Sequence, residues 1–583
     1  MHTSLAHKEL FRKQSKNCAV EINIFARRFG IIDGVMFHGL SKQVFAGALW
    51  AAISFAAMAA GAAAPLTADD IRWGEPTRFA SRVGDMLVVD VPEGEGSNEL
   101  VGLVGVLPTG KIGEAQTLKA TIRARSSGIA KPKISYLGLK FQFQVFDAMT
   151  GMTLYPNTHT VRHGSFDWTT LDVDVVLGGL QIGQDVTLWL GLQGTTGEVE
   201  FDLSSLRIEP GRIFFPRENE DYKCEYSGFG IRNPGSATLE TRNPKSEPLR
   251  GVMLPGGRDM VEDDFREMAR WGVKLGRYQM IRNWNAWKNG PTDTDLAEYD
   301  EWINGRLDHL EAVVLPMARK YGMKIVVDVH SPPGGRNKAT EMEMFFDARY
   351  RDHFVGLWRR IAERFRGNAD VIYGYDLVNE PQQLHPAPYD YWSVQREAAE
   401  AVREIDPDTP IIVESNGMDA PSAFAYLNPL AMSNVIYSVH MYVPSDYTHQ
   451  GVFGGGPMPY PDPARGRDRD WLRKTLAHVR AFQLKHGARI YVGEFSAVAW
   501  AEGADRYIAD CISIFEDYGW DWTYHSFRGW NGWSVEHEGP DIAHMAPSAD
   551  NPRKRALLNG LNGSGRPNET TTPHIGDKDE ETR

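Results

Sequence analysis

Val371-Ile-Tyr-Gly-Tyr-Asp-Leu-Val378 is an apolar run of strand length that ends abruptly in Asn379-Glu380-Pro381. A second run, Ile490-Tyr-Val-Gly-Glu494, ends the same way. Short apolar runs rich in β-branched and aromatic residues read as strands buried on both faces. A glutamate at the carboxyl end of such a strand adds nothing to a core and costs desolvation energy. Both positions therefore ask for a chemical reason.

Around these two strands the same texture repeats. From Arg250 onward the strand candidates are Gly251–Pro255, Val273–Tyr278, Lys324–His330, Val371–Val378, Thr409–Glu414, Val435–Met441, Arg489–Glu494 and Asp521–Phe527. Amphipathic stretches such as Leu307–Tyr321, Tyr350–Arg366, Tyr389–Ile405, Trp471–Lys485 and Ala504–Tyr518 lie between them. Eight β units joined by helices over roughly 310 residues predict an α/β fold, a (β/α)8 TIM barrel spanning 249–562. A doubly wound open sheet is the competitor, but no Gly-rich phosphate loop follows the first strand.

Upstream the pattern changes. Residues 67–210 read as all-β: Leu139–Val145 and Val199–Leu203 alternate apolar and polar residues with period two. Further strand-like runs lie at Leu171–Val175 and Val186–Leu192, and turn residues such as Thr150-Gly151 and Gly194–Gly197 break the runs. A β-sandwich is expected. A polar, Pro-containing linker, 211–248, joins it to the barrel. At the other end, 564–583 has the composition of a disordered tail.

The amino terminus, 1–64, reads as a leader. Val44–Ala64 is an Ala-rich apolar stretch preceded by Lys42 and ending in small residues, the layout of a signal peptide over about 36–64 with Met36 as an alternative start. Secretion or periplasmic export is the expectation. A membrane becomes a partner only if this segment is retained as an anchor. The net charge of −13 and the absence of any basic block argue against nucleic acid. Three cysteines, Cys18, Cys224 and Cys511, form no CxxC pair, and neither a metal nor a cofactor is expected. Cys224 and Cys511 are the pair open to bridging in an exported chain.

In such barrels the active site is assembled from the carboxyl ends of the strands. Those ends supply Arg277, His330, Asn379, Glu380, His440, Tyr442 and Glu494. The segments Trp271–Arg277, Val326–His330, Tyr375–Pro381, Val439–Tyr442 and Val492–Glu494 resemble, in order, strands two, three, four, six and seven of glycoside hydrolase family five, the cellulase-like branch of the barrel glycosidases. The resemblance does not reach residues 1–210, although the phrase from Phe166 to Asp202 loosely resembles jelly-roll modules attached to glycosidases. Such a module either binds carbohydrate or serves as a structural partner of the barrel.

The resemblance implies that Glu380 is the acid/base and Glu494 the nucleophile of a retaining endo-β-1,4-glucanase, and the signal-like leader makes it a secreted one. A β-glycan polysaccharide or oligosaccharide would be its partner. A β-mannanase or an exo-acting enzyme is the alternative on the same frame, and a non-catalytic carbohydrate-binding protein is the alternative of another class. Arg277 and Tyr442 are expected beside Glu494, His440 toward Glu380, Asn379 at the sugar 2-hydroxyl and His330 in the subsite where the ring distorts. The family's aromatic platform after strand eight falls on Tyr524-His-Ser-Phe-Arg-Gly-Trp530, with Trp530 favoured over Phe527. Asp328 and Asp376 are expected to point away from this face, and Glu414 to line the cleft or face solvent.

Overall fold

The computed structural model describes residues 65–563, apart from 114, 116, 133–136, 156, 159–162, 178–179, 181, 212–246, 284–289, 386 and 453–455. The leader 1–64, nearly all of the linker 211–248 and the tail 564–583 lie outside the described residues, as do Cys18 and Cys224. Cys511, in the helix Ala504–Tyr518, is buried and has no disulfide partner among the described residues. Among the described residues no helix is long and apolar enough to cross a membrane.

Eight parallel strands close into a barrel: β1 (Arg250–Met253), β2 (Leu275–Gln279), β3 (Lys324–Asp328), β4 (Ile372–Asp376), β5 (Ile411–Val413), β6 (Val435–Met441), β7 (Arg489–Phe495) and β8 (Asp521–Tyr524). Each falls within or overlaps a run expected from the sequence. Helices pack outside them, and their starts are set by local chemistry. Asp390 caps the helix Tyr391–Arg403 by accepting from Trp392 N and Ser393 N, and Asp295 caps Leu296–His309 in the same manner.

The inward faces explain where the site sits. Alternate residues of a strand share a face. Leu275, Val326 and Ile412, with Tyr373, Ile436 and Tyr491, form an apolar floor inside the barrel. Two residues further along β2, β3 and β5 the same inward face carries Arg277, Asp328 and Glu414, all fully buried. Asp328 and Asp376 thus point into the barrel, contrary to the expectation: Asp328 keeps step with Val326, and an irregularity at the start of β4, where Ile325 pairs with Ile372 but Val326 with Gly374, brings Asp376 level with Asp328. Of the two positions left open for Glu414, it does not face solvent: it is wholly buried.

The segment upstream of the barrel holds two antiparallel sheets. One runs Arg72–Trp73, Leu100–Leu107, Val186–Gln193, Gly138–Asp147, Met152–Leu154 in spatial order. The other runs Ala80–Val83, Met86–Val91, Gly197–Gly211, Thr117–Ile129, Gly164–Val176, Asn157–Thr158. Their facing residues, among them Phe141, Phe143, Leu190 and Phe201, make one apolar cluster. This unit touches the barrel. His478 Nε2 lies 2.7 Å from the buried Asp147 Oδ2, Thr475 Oγ1 meets the Met152 sulfur at 3.6 Å, and Val176 packs on the barrel's outer core.

Candidate active site

Arg277 is the hub of the upper barrel. Its Nε donates to Asp376 Oδ2 at 3.0 Å, Nη1 to Glu494 Oε1 at 2.6 Å, and Nη2 to Asn379 Oδ1 at 3.0 Å and Glu414 Oε1 at 2.9 Å. Asp328 lies 3.3 Å away on β3. Burial works to discharge the guanidinium, but Asp328, Asp376, Glu414 and Glu494 outweigh it and hold Arg277 charged. His330, just past β3, turns Nδ1 to Asp328 Oδ2 at 2.8 Å and so joins the same network one step removed.

Glu494 ends the inward face of β7. Tyr442 donates its hydroxyl proton to Oε2 at 2.9 Å. Burial raises this carboxyl's pKa, but His440, His525 and Arg277 together bring it well below the usual carboxylate range. Glu494 is therefore a buried anion with directed donors on both oxygens. Gly493 beside it gives His440 room: a Cβ there would stand 2.8 Å from both His440 Nε2 and Ser438 Oγ.

Glu380 is held differently, through its backbone. It adopts φ 51°, a left-handed conformation that costs a non-glycine residue about 1–3 kcal/mol. Two neighbours hold that geometry. Glu414 Oε2 accepts from Glu380 N at 2.5 Å, and the buried Arg336 donates Nη2 to the carbonyls of Asn379 and Glu380 at 3.1 and 2.8 Å. The Glu380 side chain reaches His440, whose Nδ1 lies 3.0 Å from Oε1. Burial opposes charging of His440, yet Glu494, Glu414 and Glu380 around it raise its pKa well above the ordinary value. One oxygen each of Glu380 and Glu494 and one His440 nitrogen lie within 4.8 Å of one another, a spacing that also suits a bound cation.

Arg277, Asn379, Glu380, His440, Tyr442 and Glu494 thus meet at one point, and His330 joins them through Asp328. Trp530 stands further out. Its ring is 5.2 Å from Trp533, which in turn lies 5.6 Å from Tyr442, and it is 37% exposed, so it forms the outer end of an aromatic row. Phe527 is fully buried against Trp271 in the strand–helix layer and faces no cleft. Sequence reasoning missed His525, the residue that directly follows β8. Its Nδ1 lies 3.1 Å from Glu494 Oε2 and 2.6 Å from the Tyr442 hydroxyl. It also missed Glu414 and Arg336 as clamps on Glu380. The signal for His525 was its place at a strand end, the same criterion that found the others.

Residues 241–531 match the family pattern described as cellulase, glycosyl hydrolase family 5. The chain belongs to glycosyl hydrolase family 5. It is a glycoside hydrolase of cellulase type. It is 25% identical over 267 residues to endoglucanase C of Acetivibrio thermocellus, covering 40% of this chain and 76% of that protein. It is 26% identical over 273 residues to cellodextrinase A of Ruminococcus flavefaciens, 44% of this chain and 75% of the relative. Among solved structures, Thermotoga maritima Cel5A with cellobiose is similar at 21% identity and a TM-score of 0.41, covering 54% of this chain and 96% of that one. The family match takes in β1 to β8 and both glutamates, and leaves the upstream sheets outside it.

Proposed function

We propose that the protein is an exported endo-β-1,4-glucanase that works with retention of configuration, with Glu494 as nucleophile and Glu380 as acid/base. One observation carries the retaining part of this reading: an oxygen of each of the two carboxyl groups lies within 4.8 Å of the other. Retaining glycosidases set their carboxyls about 5–5.5 Å apart, whereas inverting ones leave about 6.5–9.5 Å for a water. Glu494, held ionised, attacks the anomeric carbon while Glu380 gives its proton to the departing oxygen. A glycosyl-enzyme ester forms, and Glu380 then takes a proton from the water that cleaves it. Asn379, whose Oδ1 is fixed by Arg277, has a buried Nδ2 with no partner among the described residues, which suits a donor to the sugar's 2-hydroxyl.

The endo reading over glucan draws on the relatives named endoglucanase and cellodextrinase, which are matched over three quarters of their length. Proteins named β-xylosidase and glucan 1,3-β-glucosidase are matched over 39% and 38% of theirs. For the upstream sheets the packing role is the better supported of the two, since the buried Asp147–His478 contact ties them to the barrel. Hydrolysis of a panel of soluble β-glycans, with the products sized, tests the proposal. Rapid loss of viscosity on a β-1,4-glucan with mixed oligosaccharides is expected. Release of single sugars only, or a preference for mannan, would contradict the endoglucanase reading, and no cleavage of any β-glycan would sink it.

A further inference from the structure

Two donors converge on one oxygen of Glu494, and only one of them belongs to the set the sequence pointed to. Tyr442 Oη is 2.9 Å from Oε2, His525 Nδ1 is 3.1 Å from the same atom, and the two donors are 2.6 Å apart. A phenol has a single proton. With that proton directed to Glu494, Nδ1 must carry its own, because a bare nitrogen would set its lone pair against those of the hydroxyl and the carboxylate. His525 therefore presents an N–H shared between Tyr442 Oη and Glu494 Oε2.

The ring is fixed for this task. His525 N donates to Phe495 O at 3.1 Å, and the imidazole lies 6.0 Å from Trp533 and 6.4 Å from Tyr442, centroid to centroid. The other Glu494 oxygen is already taken by Arg277 Nη1 at 2.6 Å. Without His525, Oε2 would rest on the tyrosine alone, and the tyrosine hydroxyl would lose the donor that steadies it.

We propose that His525 is a positioning residue of the glycosidase reaction, fixing the Glu494 carboxylate and the Tyr442 hydroxyl through its Nδ1–H. This rests on Glu494 being the nucleophile. The charged and titratable groups around that carboxylate are Arg277 from β2, Glu380 after β4, Glu414 after β5, His440 and Tyr442 from β6 and its following loop, His449 beyond them, and His525 after β8. Of these, His440, His525 and Arg277 hold the proton off Glu494 against the effect of burial. Removing the His525 donor lets the proton back on, so the pKa of Glu494 rises.

The test uses the full chain and 2,4-dinitrophenyl β-cellobioside, whose leaving group needs no proton. The acid limb of kcat/KM then reports the nucleophile of the free enzyme. His525→Phe keeps a flat ring against Trp533 but has no donor. It is expected to lower kcat/KM by about 100-fold and to move the acid limb up by about one pH unit. In His525→Asn the amide nitrogen can stand where Nδ1 stands, and most of the rate and the original limb return. A role in packing alone gives the reverse order, with Phe better than Asn and the limb unmoved, and that result overturns the proposal. Should His525→Phe fail to fold, His525→Gln, which carries its nitrogen too far out, replaces it in the comparison with Asn. Glu494→Gln separates the two levels. If it is inert while the limb ignores His525, only the role of His525 fails; if it turns over, the nucleophile assignment fails first.

Discussion

The core between the two upstream sheets and the upper layer of the barrel are equally buried, and they are filled in opposite ways. The first is a cluster of apolar side chains such as Phe143, Leu190 and Phe201. The second packs Asp328, Asp376, Glu414, Glu494 and Asn379 around one guanidinium. Apolar burial stabilises by about 25 cal/mol per Å² and asks for no partner. Buried charges cost several kcal/mol each in desolvation and are often no better than an apolar replacement. A layer of this kind is poor value as a core, which is why its presence points to chemistry: directed charge in a dry site is what stabilises a transition state.

The largest effect that separates the two regions should come from Glu494→Gln. The amide is nearly isosteric, so the thermal melt stays close to wild type while kcat on glucan falls by about 10⁴-fold or more. A variant with more than a tenth of wild-type kcat would break the comparison. Next come two truncations with similar cost in stability. Arg277→Met strands its carboxyls without a cation, and Phe201→Ala opens a cavity between the sheets; each should cost about 3–5 kcal/mol in denaturant unfolding. Only the first should also abolish turnover in the fraction that remains folded.

Gly493→Ala sharpens the picture further. The new Cβ must push His440 or Ser438, each 2.8 Å away, so about a tenfold fall in kcat/KM is expected with a near-normal melt, since small misplacements near the chemistry are costly. The last effect concerns pH. Burial raises Asp376 to about 7 and Asp419 to about 6. Both bind a proton more tightly folded than unfolded, so their linkage lowers stability as pH rises from about 4 to 7. Asp376→Asn should flatten that decline in melts recorded at pH 5 and pH 7.5; an unchanged slope would show that the proton is not held there.

Much of this was legible in the sequence because strand period and strand ends are local signals. Eight apolar runs placed eight strands, and taking the residues at their carboxyl ends found Arg277, Asn379, Glu380, His440, Tyr442 and Glu494. The failures have separate causes. Asp328 and Asp376 were expected on the other face of their strands, whereas their direction follows from register with β3 floor residue Val326 and from the irregularity where β4 pairs with β3, which only the closed barrel reveals. Trp530 and Phe527 drew attention because the family resemblance calls for an aromatic platform after strand eight. The residue after β8 that touches Glu494 is a histidine, which stands at a strand end like the others but was passed over for the aromatics further along.

The central claim, that Glu494 attacks the sugar, is tested most directly by trapping. The full chain is incubated with a 2-deoxy-2-fluoro β-cellobioside bearing an activated leaving group, digested, and the labelled peptide sequenced by mass. The account predicts one equivalent of label on Glu494, in the peptide containing Ile490-Tyr-Val-Gly-Glu494, and none on Glu494→Gln. Label on Glu380 or Glu414, or an enzyme that hydrolyses glucan without ever acquiring label, would contradict it.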